Sequence, residues 1–129
     1  MDLSIRRYAE TLARRERLTA TLDRFLAGVD AWLCPVAPGP AFLHCKPGPV
    51  GEPIDIDGQM VPYWTACASY TSVFSLTGSP VVVLPLARSR LGMPIGVQVV
   101  GSRWEEMALL NVAEALMQIT GAVSRPPGY

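Results

Sequence analysis

The chain has 129 residues, of which half are hydrophobic and 17% are charged, and its eleven basic and eleven acidic side chains cancel. This length suits a single domain over residues 1–129, and the balanced charge gives no electrostatic reason to expect nucleic acid or an anionic membrane as a partner. No apolar run approaches the roughly 18 to 20 residues that cross a bilayer, and the high apolar content indicates surface that meets another chain or domain.

The first half of the sequence predicts a helix, a short strand and a long loop. Apolar residues recur at steps of three and four over residues 4–27, which is typical of an amphipathic helix. Residues 31–34 suit a short strand that Pro35 ends. Residues 35–62 then hold seven prolines and four glycines, too many for a helix or a central strand. So long an irregular segment wraps a surface or borders a site.

The middle of the sequence predicts a second helix and two paired strands. Residues 63–76 carry no charge and place apolar side chains on two helical faces, which predicts a helix that is covered on all sides. Gly78 ends that helix. A continuous apolar strand follows over residues 81–84, buried on both faces and stopped by Pro85. After a short link, the strand 95–100 is expected to pair with it antiparallel.

The last third predicts a closely packed turn and a final helix. Gly96 and Gly101 lie in or beside a strand, where glycine indicates that another element approaches the backbone. Ser102 and Glu105 match a capping box, so a helix should begin there and run to about residue 120. The expected fold is α/β, a small mixed or antiparallel sheet of about three strands flanked by three helices.

Several motifs follow one another along the sequence. They are DAWLCP at 30–35, Ile56-Asp57-Gly58, TGSP at 77–80, the strand 81–85, GMPIGVQ at 92–98, and a last helix that ends near Arg125-Pro126-Pro127. Over about residues 6–127, their order resembles the C-terminal part of amidase signature hydrolases. That resemblance implies a parent α/β fold with a mixed sheet between helices, and hydrolysis of a carboxamide as the reaction.

The catalytic residues of that family have no counterparts in this sequence. The resemblance implies a serine nucleophile that is activated through a second serine and a lysine, beside a loop that supplies oxyanion donors. This chain has no Ser-Ser pair and no Gly-Gly-Ser run, its only lysine is Lys46 beside Pro47, and its only histidine is His44. Acyl transfer needs a nucleophile, a base and donors around one atom. We therefore assign no catalytic residue and expect the chain to be inactive alone.

Three residues are candidates for lining a substrate pocket. Trp64 is a candidate because it borders the long loop, although packing in the core is the favoured interpretation. Thr77 belongs to the TGSP motif. Gln98 is a polar residue inside an apolar strand, where an unpaired amide is costly. A bond to neighbouring backbone is favoured there over a contact with substrate.

Neither a metal nor a cofactor is predicted. The spacing of the residues that bind metals is poor, and a polar turn is favoured at residues 55–58 because most ligands of a calcium loop are missing. Cysteines that are odd in number and irregularly spaced favour buried thiols and a reducing cytoplasm. The metal-binding residue types considered are His44, Cys45, Asp55 and Asp57.

Three functional hypotheses stay open. The first is a C-terminal fragment, or a truncated relative, of an amidase. The second is a binding or assembly module without catalytic activity, which would form a homo-oligomer because its sheet edges and apolar surface are uncovered. The third is one subunit of a split amidase, whose partner is the missing N-terminal portion.

Overall fold

The computed structural model describes residues 4–45 and 51–121, so that Lys46 and the C-terminal tail beyond Gly121 lie outside the described residues. Within these ranges no helix is both long and apolar enough to cross a bilayer. In chain order the elements are α1 (Ile5–Leu26), β1 (Trp32–Pro35), β2 (Ile54–Ile56), β3 (Gln59–Val61), α2 (Tyr63–Ala68), α3 (Ser72–Thr77), β4 (Val81–Arg88), β5 (Pro94–Val100) and α4 (Glu106–Thr120).

The main sheet has three antiparallel strands in the order β1-β5-β4. In its register Val100 lies opposite Trp32 on one side and Val81 on the other, and Gln98 lies between Cys34 and Val83 in the same way. The predicted antiparallel pairing of the last two strands is confirmed. Because β5 is central, its side chains are the best placed to be covered from both sides.

The sheet packs between two layers of helices. Successive residues of a strand point to opposite faces, and Val99 and Val100 are both completely buried. Val99 packs with Leu109 and Ala113 of α4. On the opposite face, Val100 belongs to a cluster that α1, β1 and α3 complete, formed with Leu22, Leu26, Cys34 and Phe74.

The long first helix is confirmed, with helical residues from Ile5 to Leu26. Its first turn is capped by Ser4, whose Oγ accepts from the backbone N–H of Arg7 at 3.2 Å. Its buried residues all lie in its C-terminal third, whereas Ile5 near its start is 88% exposed. One end of α1 is therefore anchored to the sheet and the other extends away from it.

The predicted continuous helix over 63–76 is wrong. Two short helices replace it, because α2 ends at Ala68 and α3 starts at Ser72. Between them, the carbonyl of Tyr70 accepts from the Gln98 side chain at 3.1 Å, so a tertiary bond takes the place of a helical one. The expected cover on all sides is also absent within the described structure, where Trp64 is 56% exposed. The count of helices there is four rather than three.

The predicted end of the first paired strand at Pro85 is wrong as well. β4 continues to Arg88, with a shift in register between Pro85 and Ala87. Because β4 lies at an edge of the sheet, proline is tolerated within it. Val83 of this strand is 56% exposed, so the prediction of burial on both faces is wrong.

Both glycine predictions are confirmed. A Cβ at Gly96 would lie 3.1 Å from Cγ1 of Val83, and one at Gly101 would lie 3.1 Å from Cβ of Leu109. Each glycine thus lets a neighbouring element approach the backbone of β5 or its exit. The second contact sets how closely α4 packs against the sheet.

The capping box is wrong, although the helix after it is confirmed. The N-cap of α4 is Glu105, and no side chain caps the helix there. The Glu105 N–H donates to the carbonyl of Ser102 at 3.3 Å. This tight turn holds Trp104 at a φ of +69°, so the serine contributes its backbone and not its hydroxyl.

The long loop contains a hairpin that its proline and glycine content concealed. β2 and β3 pair antiparallel, and Ile54 lies opposite Val61. Asp57 and Gly58 form the turn with φ values of +52° and +83°. The Gly58 N–H donates to Oδ1 of Asp55 at 2.7 Å. An Asp-Gly pair is a strong signal for such a turn, and it accounts for the polar residues at this position.

Candidate functional site

Gln98 is the best-connected polar side chain of the sheet. It lies on the central strand and is 3% exposed. Its Nε2 donates to the carbonyl of Pro35 at 2.7 Å and to that of Tyr70 at 3.1 Å, and it contacts Sγ of Cys34 at 3.6 Å. The predicted bonding of Gln98 to backbone is confirmed. The side chain thereby ties the end of β1 and the junction of α2 and α3 to the middle of the sheet.

Thr77 closes the end of α3. Its side chain is buried, with 1% exposed. Oγ1 donates to the carbonyl of Val73 at 2.9 Å and shares a hydrogen bond of 3.1 Å with Oγ of Ser79. Between them Gly78 adopts a left-handed φ of +75°, which is the conformation that ends many helices. The TGSP motif is therefore the C-terminal cap of α3 and the entry to β4.

An open cavity of about 350 Å³ lies where α3 meets β4 and β5. No residue that lines it is charged, and its polar groups come from hydroxyls and one amide. Such a cavity suits a neutral group that both donates and accepts hydrogen bonds. The lining residues are Thr71, Phe74, Ser75, Gly78, Ser79, Val81 and Gln98.

Of the three predicted pocket residues, Gln98 lines this cavity and Thr77 lies next to it through its bond to Ser79. Trp64 does not line it. Trp64 is 56% exposed, so its favoured interpretation as a core residue is wrong. Its ring stands edge-on to Tyr63 at 5.8 Å, and Tyr63 stands edge-on to Phe42 at 6.3 Å. These aromatic rings join α2 to the loop after β1.

Sequence reasoning missed Ser79 and Arg15. Ser79 is part of the TGSP motif, so that motif could have indicated its hydroxyl as a candidate. Arg15 looked like part of a solvated helical face, yet its Nε donates to the carbonyl of Leu76 at 2.7 Å. Since that carbonyl belongs to the last turn of α3, the cation stabilises the end of the helix that borders the cavity.

Within residues 4–45 and 51–121, the hydrogen bonds of the hydroxyl side chains pair none of them with a base. Helical hydroxyls such as those of Thr19 and Ser75 donate to carbonyls of their own helices. In the described ranges no serine or threonine hydroxyl is hydrogen-bonded to a histidine or a carboxylate side chain. These ranges also hold no group of three or more His, Cys, Asp or Glu residues that suits a metal ion.

Comparison with known proteins decides the family. The model of the family described as Amidase matches residues 2–110, which is most of the chain. The chain belongs to the amidase family. It corresponds to a C-terminal segment of the amidase signature proteins, so the resemblance seen in the sequence is confirmed.

Curated relatives of this amidase segment include two proteins named as the A subunit of glutamyl-tRNA(Gln) amidotransferase. The one from Jannaschia sp. (strain CCS1) is 36% identical over 118 residues, which cover 88% of this chain and 22% of the relative. The one from Ruegeria pomeroyi is 39% identical over 104 residues, which cover 81% of this chain and 19% of the relative. The chain thus spans about a fifth of the length of these relatives.

Solved structures of similar fold also extend well beyond the part that this chain matches. A crystal structure of an amidase superposes with a TM-score of 0.76 at 35% identity, over 92% of this chain and 26% of that protein. A structure described as a vestigial protein complex that reveals the origins of an s-triazine catabolic enzyme gives 0.72 at 27% identity, over 94% and 25%. The α/β fold predicted from the sequence, a small sheet flanked by helices, is confirmed.

Proposed function

We propose that this chain is the part of an amidase that shapes the substrate pocket without supplying the nucleophile, and that it is catalytically silent alone. One observation carries the proposal. The described residues hold no hydroxyl paired with a base, in a chain that matches the amidase family over residues 2–110. The serine and the lysine that hydrolyse the carboxamide would come from residues outside this sequence.

The chain is expected to be inactive alone because a serine hydroxyl is a weak nucleophile until a neighbouring base takes its proton. In α3, the hydroxyls of Ser75 and Thr77 donate instead to the carbonyls of Thr71 and Val73. Charge that develops in the transition state also needs preorganised donors, and losing one such donor already costs about 10²–10³ in kcat. A few isolated serines therefore cannot sustain measurable turnover.

In this proposal Gln98, Thr77 and Trp64 belong to the wall of the pocket. Support comes from the uncharged cavity beside Gln98 and Ser79, since a carboxamide is neutral and both donates and accepts hydrogen bonds. Thr77 would act through Ser79, which it holds in place. Trp64 would offer an exposed aromatic face to the apolar part of a substrate.

The first experiment tests whether the chain alone has amidase activity. The purified protein is assayed with simple aliphatic and aromatic amides and is then treated with a serine-directed fluorophosphonate. We expect no turnover and no stoichiometric labelling. Hydrolysis of an amide, or complete labelling of a single serine, would contradict the proposal.

The second experiment tests the pocket. The Jannaschia relative, shortened by the segment that matches this chain, is expressed with and without this chain, and amide hydrolysis is measured. We expect activity only when both polypeptides are present. Gln98→Met should lower it strongly, whereas the matched control Gln118→Met, on the exposed side of α4, should not. A complex that forms but stays inactive would argue against this role.

A second candidate function is a self-associating module. It is favoured by apolar residues at both edges of the main sheet, where Leu33 of β1 is 50% exposed and Leu86 of β4 is 51% exposed. Edge strands with such side chains invite pairing between chains. Light scattering over a range of concentrations should then find a homo-oligomer, and a clean monomer throughout would refute this candidate.

The split-subunit hypothesis is a variant of the first proposal, in which the nucleophile lies on a separate polypeptide. It predicts that DNA upstream of the codon for Met1, or a neighbouring gene, encodes a lysine followed by a glycine- and serine-rich segment. A genomic region without any such sequence would refute it. A cytoplasmic location, consistent with three free cysteines, belongs to the same proposal.

A further inference from the structure

The side chain of Gln98 has one polar atom to which no hydrogen bond is made in the described part of the chain. Its Nε2 hydrogens are taken by the carbonyls of Pro35 at 2.7 Å and Tyr70 at 3.1 Å, and Sγ of Cys34 lies 3.6 Å from the same nitrogen. All three neighbours can accept a hydrogen bond, which fixes the nitrogen on this side of the amide. The oxygen Oε1 lies on the other arm of the amide and keeps both lone pairs free.

Oε1 faces open space although its residue is nearly buried. Gln98 is 3% exposed, yet it lines the cavity of about 350 Å³ where α3 meets β4 and β5. Within the described ranges, every completely buried side-chain nitrogen or oxygen has a hydrogen-bond partner. Since Oε1 has none there, it is not completely buried, and the open space that Gln98 lines is this cavity. The side chain therefore presents a free acceptor to it.

Ser79 adds a second acceptor to the same cavity. The hydroxyl of Thr77 has a single proton, which it donates to the carbonyl of Val73 at 2.9 Å. In the 3.1 Å bond between Thr77 and Ser79, the donor is therefore Oγ of Ser79. An oxygen that has given away its only proton can interact with a ligand only as an acceptor. Ser79 is 9% exposed and lines the cavity beside Gln98, so the two acceptors share one wall.

The charges around the cavity favour a neutral ligand. No residue that lines it is charged, so an ion would lose its water there without gaining a counter-charge. Arg15 lies close by, because its Nε donates to the carbonyl of Leu76 at 2.7 Å, and Leu76 follows the lining residue Ser75. A positive charge next to the wall disfavours a cation in particular.

We propose that Oε1 of Gln98 and Oγ of Ser79 are the specificity-determining acceptors of this cavity, and that they select an uncharged ligand that carries an N–H group. The N–H of a carboxamide satisfies such an acceptor, whereas the matching ester brings an oxygen without a proton and leaves the acceptor unpaired. The inference rests on the proposed function, because it takes the cavity to be a ligand pocket. It adds which atoms choose the ligand.

The experiment titrates small probes into the isotope-labelled full chain and follows the side-chain N–H signals of Gln98 and the backbone N–H of Ser79 by NMR. N-methylbenzamide and methyl benzoate are a matched pair, because they differ only in an N–H group that replaces the ester oxygen. We expect the amide to bind with a Kd about fivefold lower, the effect of one hydrogen bond. Benzylammonium should bind more weakly than the amide, because no lining residue is negatively charged.

A serine variant assigns the preference to its atoms. Ser79→Ala removes one of the two acceptors, so the preference for N-methylbenzamide should fall to about twofold while the binding of methyl benzoate stays unchanged. Ser102→Ala is the matched control, because it removes a serine hydroxyl that does not line this cavity. The control should keep the full preference. If Ser79→Ala does not fold, the matched probes still decide the proposal with the wild-type chain.

Two results would overturn the proposal, and they differ in what they say of the proposed function. Equal affinities for the amide and the ester would refute the selection by Gln98 and Ser79 but would leave the cavity as a pocket. No change at either residue with any probe would refute the pocket as well. Binding is measured here without turnover. A retained preference for the amide, together with failure to restore activity to the shortened relative, would therefore count against the proposed function alone.

Discussion

The main sheet and the segment between β1 and α2 are stabilised by different kinds of interaction. The sheet buries Val99 and Val100 completely between α1, α3 and α4. In the described part of residues 36–62, Ile54 is the only buried hydrophobic residue, and the hairpin depends on its turn. A chain of the amidase family can therefore keep a packed sheet as a stable platform while a nearby segment keeps its shape through local backbone preferences.

The largest expected contrast between the two regions comes from a pair of phenylalanines. Phe74 is 3% exposed and contacts Trp32 edge-on at 5.7 Å, whereas Phe42 is 46% exposed in the long segment. Phe74→Ala should lower the free energy of unfolding by about 3–5 kcal/mol because it leaves a cavity. Phe42→Ala should cost less than about 1.5 kcal/mol, the scale of one aromatic pair. Urea denaturation measures both, and equal costs would remove the distinction between the regions.

The next effect tests the link that joins the two regions. Gln98→Met keeps the length of the side chain but removes the donor that serves the carbonyls of Pro35 and Tyr70. Leaving buried acceptors without a partner should cost about 1–3 kcal/mol. The control Gln118→Met lies on an exposed position and should stay within about 0.5 kcal/mol of the wild type. A neutral Gln98→Met would mean that the packing of α3, and not this amide, holds the junction.

The sequence predicted the main sheet and the long helix packed on it well, because the sequence patterns that indicate them are local or periodic. The spacing of apolar residues located α1, and Gly101 indicated the close approach of Leu109. Gln98 was also recognised as a side chain that bonds to backbone. Such features depend on burial and on residue size, which an amino-acid pattern records directly.

Two of the failures involve contacts between residues that are far apart in the sequence or the order of the strands. At the break between α2 and α3 the carbonyl of Tyr70 accepts a hydrogen bond from Gln98, a contact that no local pattern reveals. Pro85 is tolerated because β4 lies at an edge of the sheet, and the order of strands is a tertiary property. The cavity residue Ser79 was inside a recognised motif, but its bond to Thr77 depends on the left-handed turn at Gly78.

A smaller effect tests the claim that turn chemistry holds the β2–β3 hairpin. Gly58 has a φ of +83°, with nothing near the position of an added Cβ. Gly58→Ala should therefore cost about 1–2 kcal/mol through backbone strain alone. Gly28→Ala is the matched control, because its Cβ would meet only the carbonyl of Phe25 at 3.7 Å. That change should be neutral or stabilise the chain by up to about 1 kcal/mol. Thermal unfolding checks both, and equal shifts would argue against a strained turn.

The smallest expected effect is a change of stability with pH that comes from the thiol of Cys34 in the main sheet. Burial raises the pKa of Cys34 above its ordinary value of 9.0, and the hydrogen bond with Gln98 opposes this only in part. The folded chain therefore holds the thiol proton more tightly than the unfolded chain does. This contribution to stability is complete below the ordinary pKa and is lost as pH rises through the folded pKa.

It follows that the difference in unfolding free energy between the wild type and Cys34→Ala should shrink from neutral pH to above pH 9, and a constant difference would contradict it. The same burial predicts that Cys34 reacts with a maleimide more slowly than Cys45 and Cys67 at neutral pH, since the thiolate is the reactive form. Fast labelling of Cys34 in the folded protein would show that solvent often reaches this face of the main sheet. The main sheet would then be no more rigid than the β2–β3 hairpin segment.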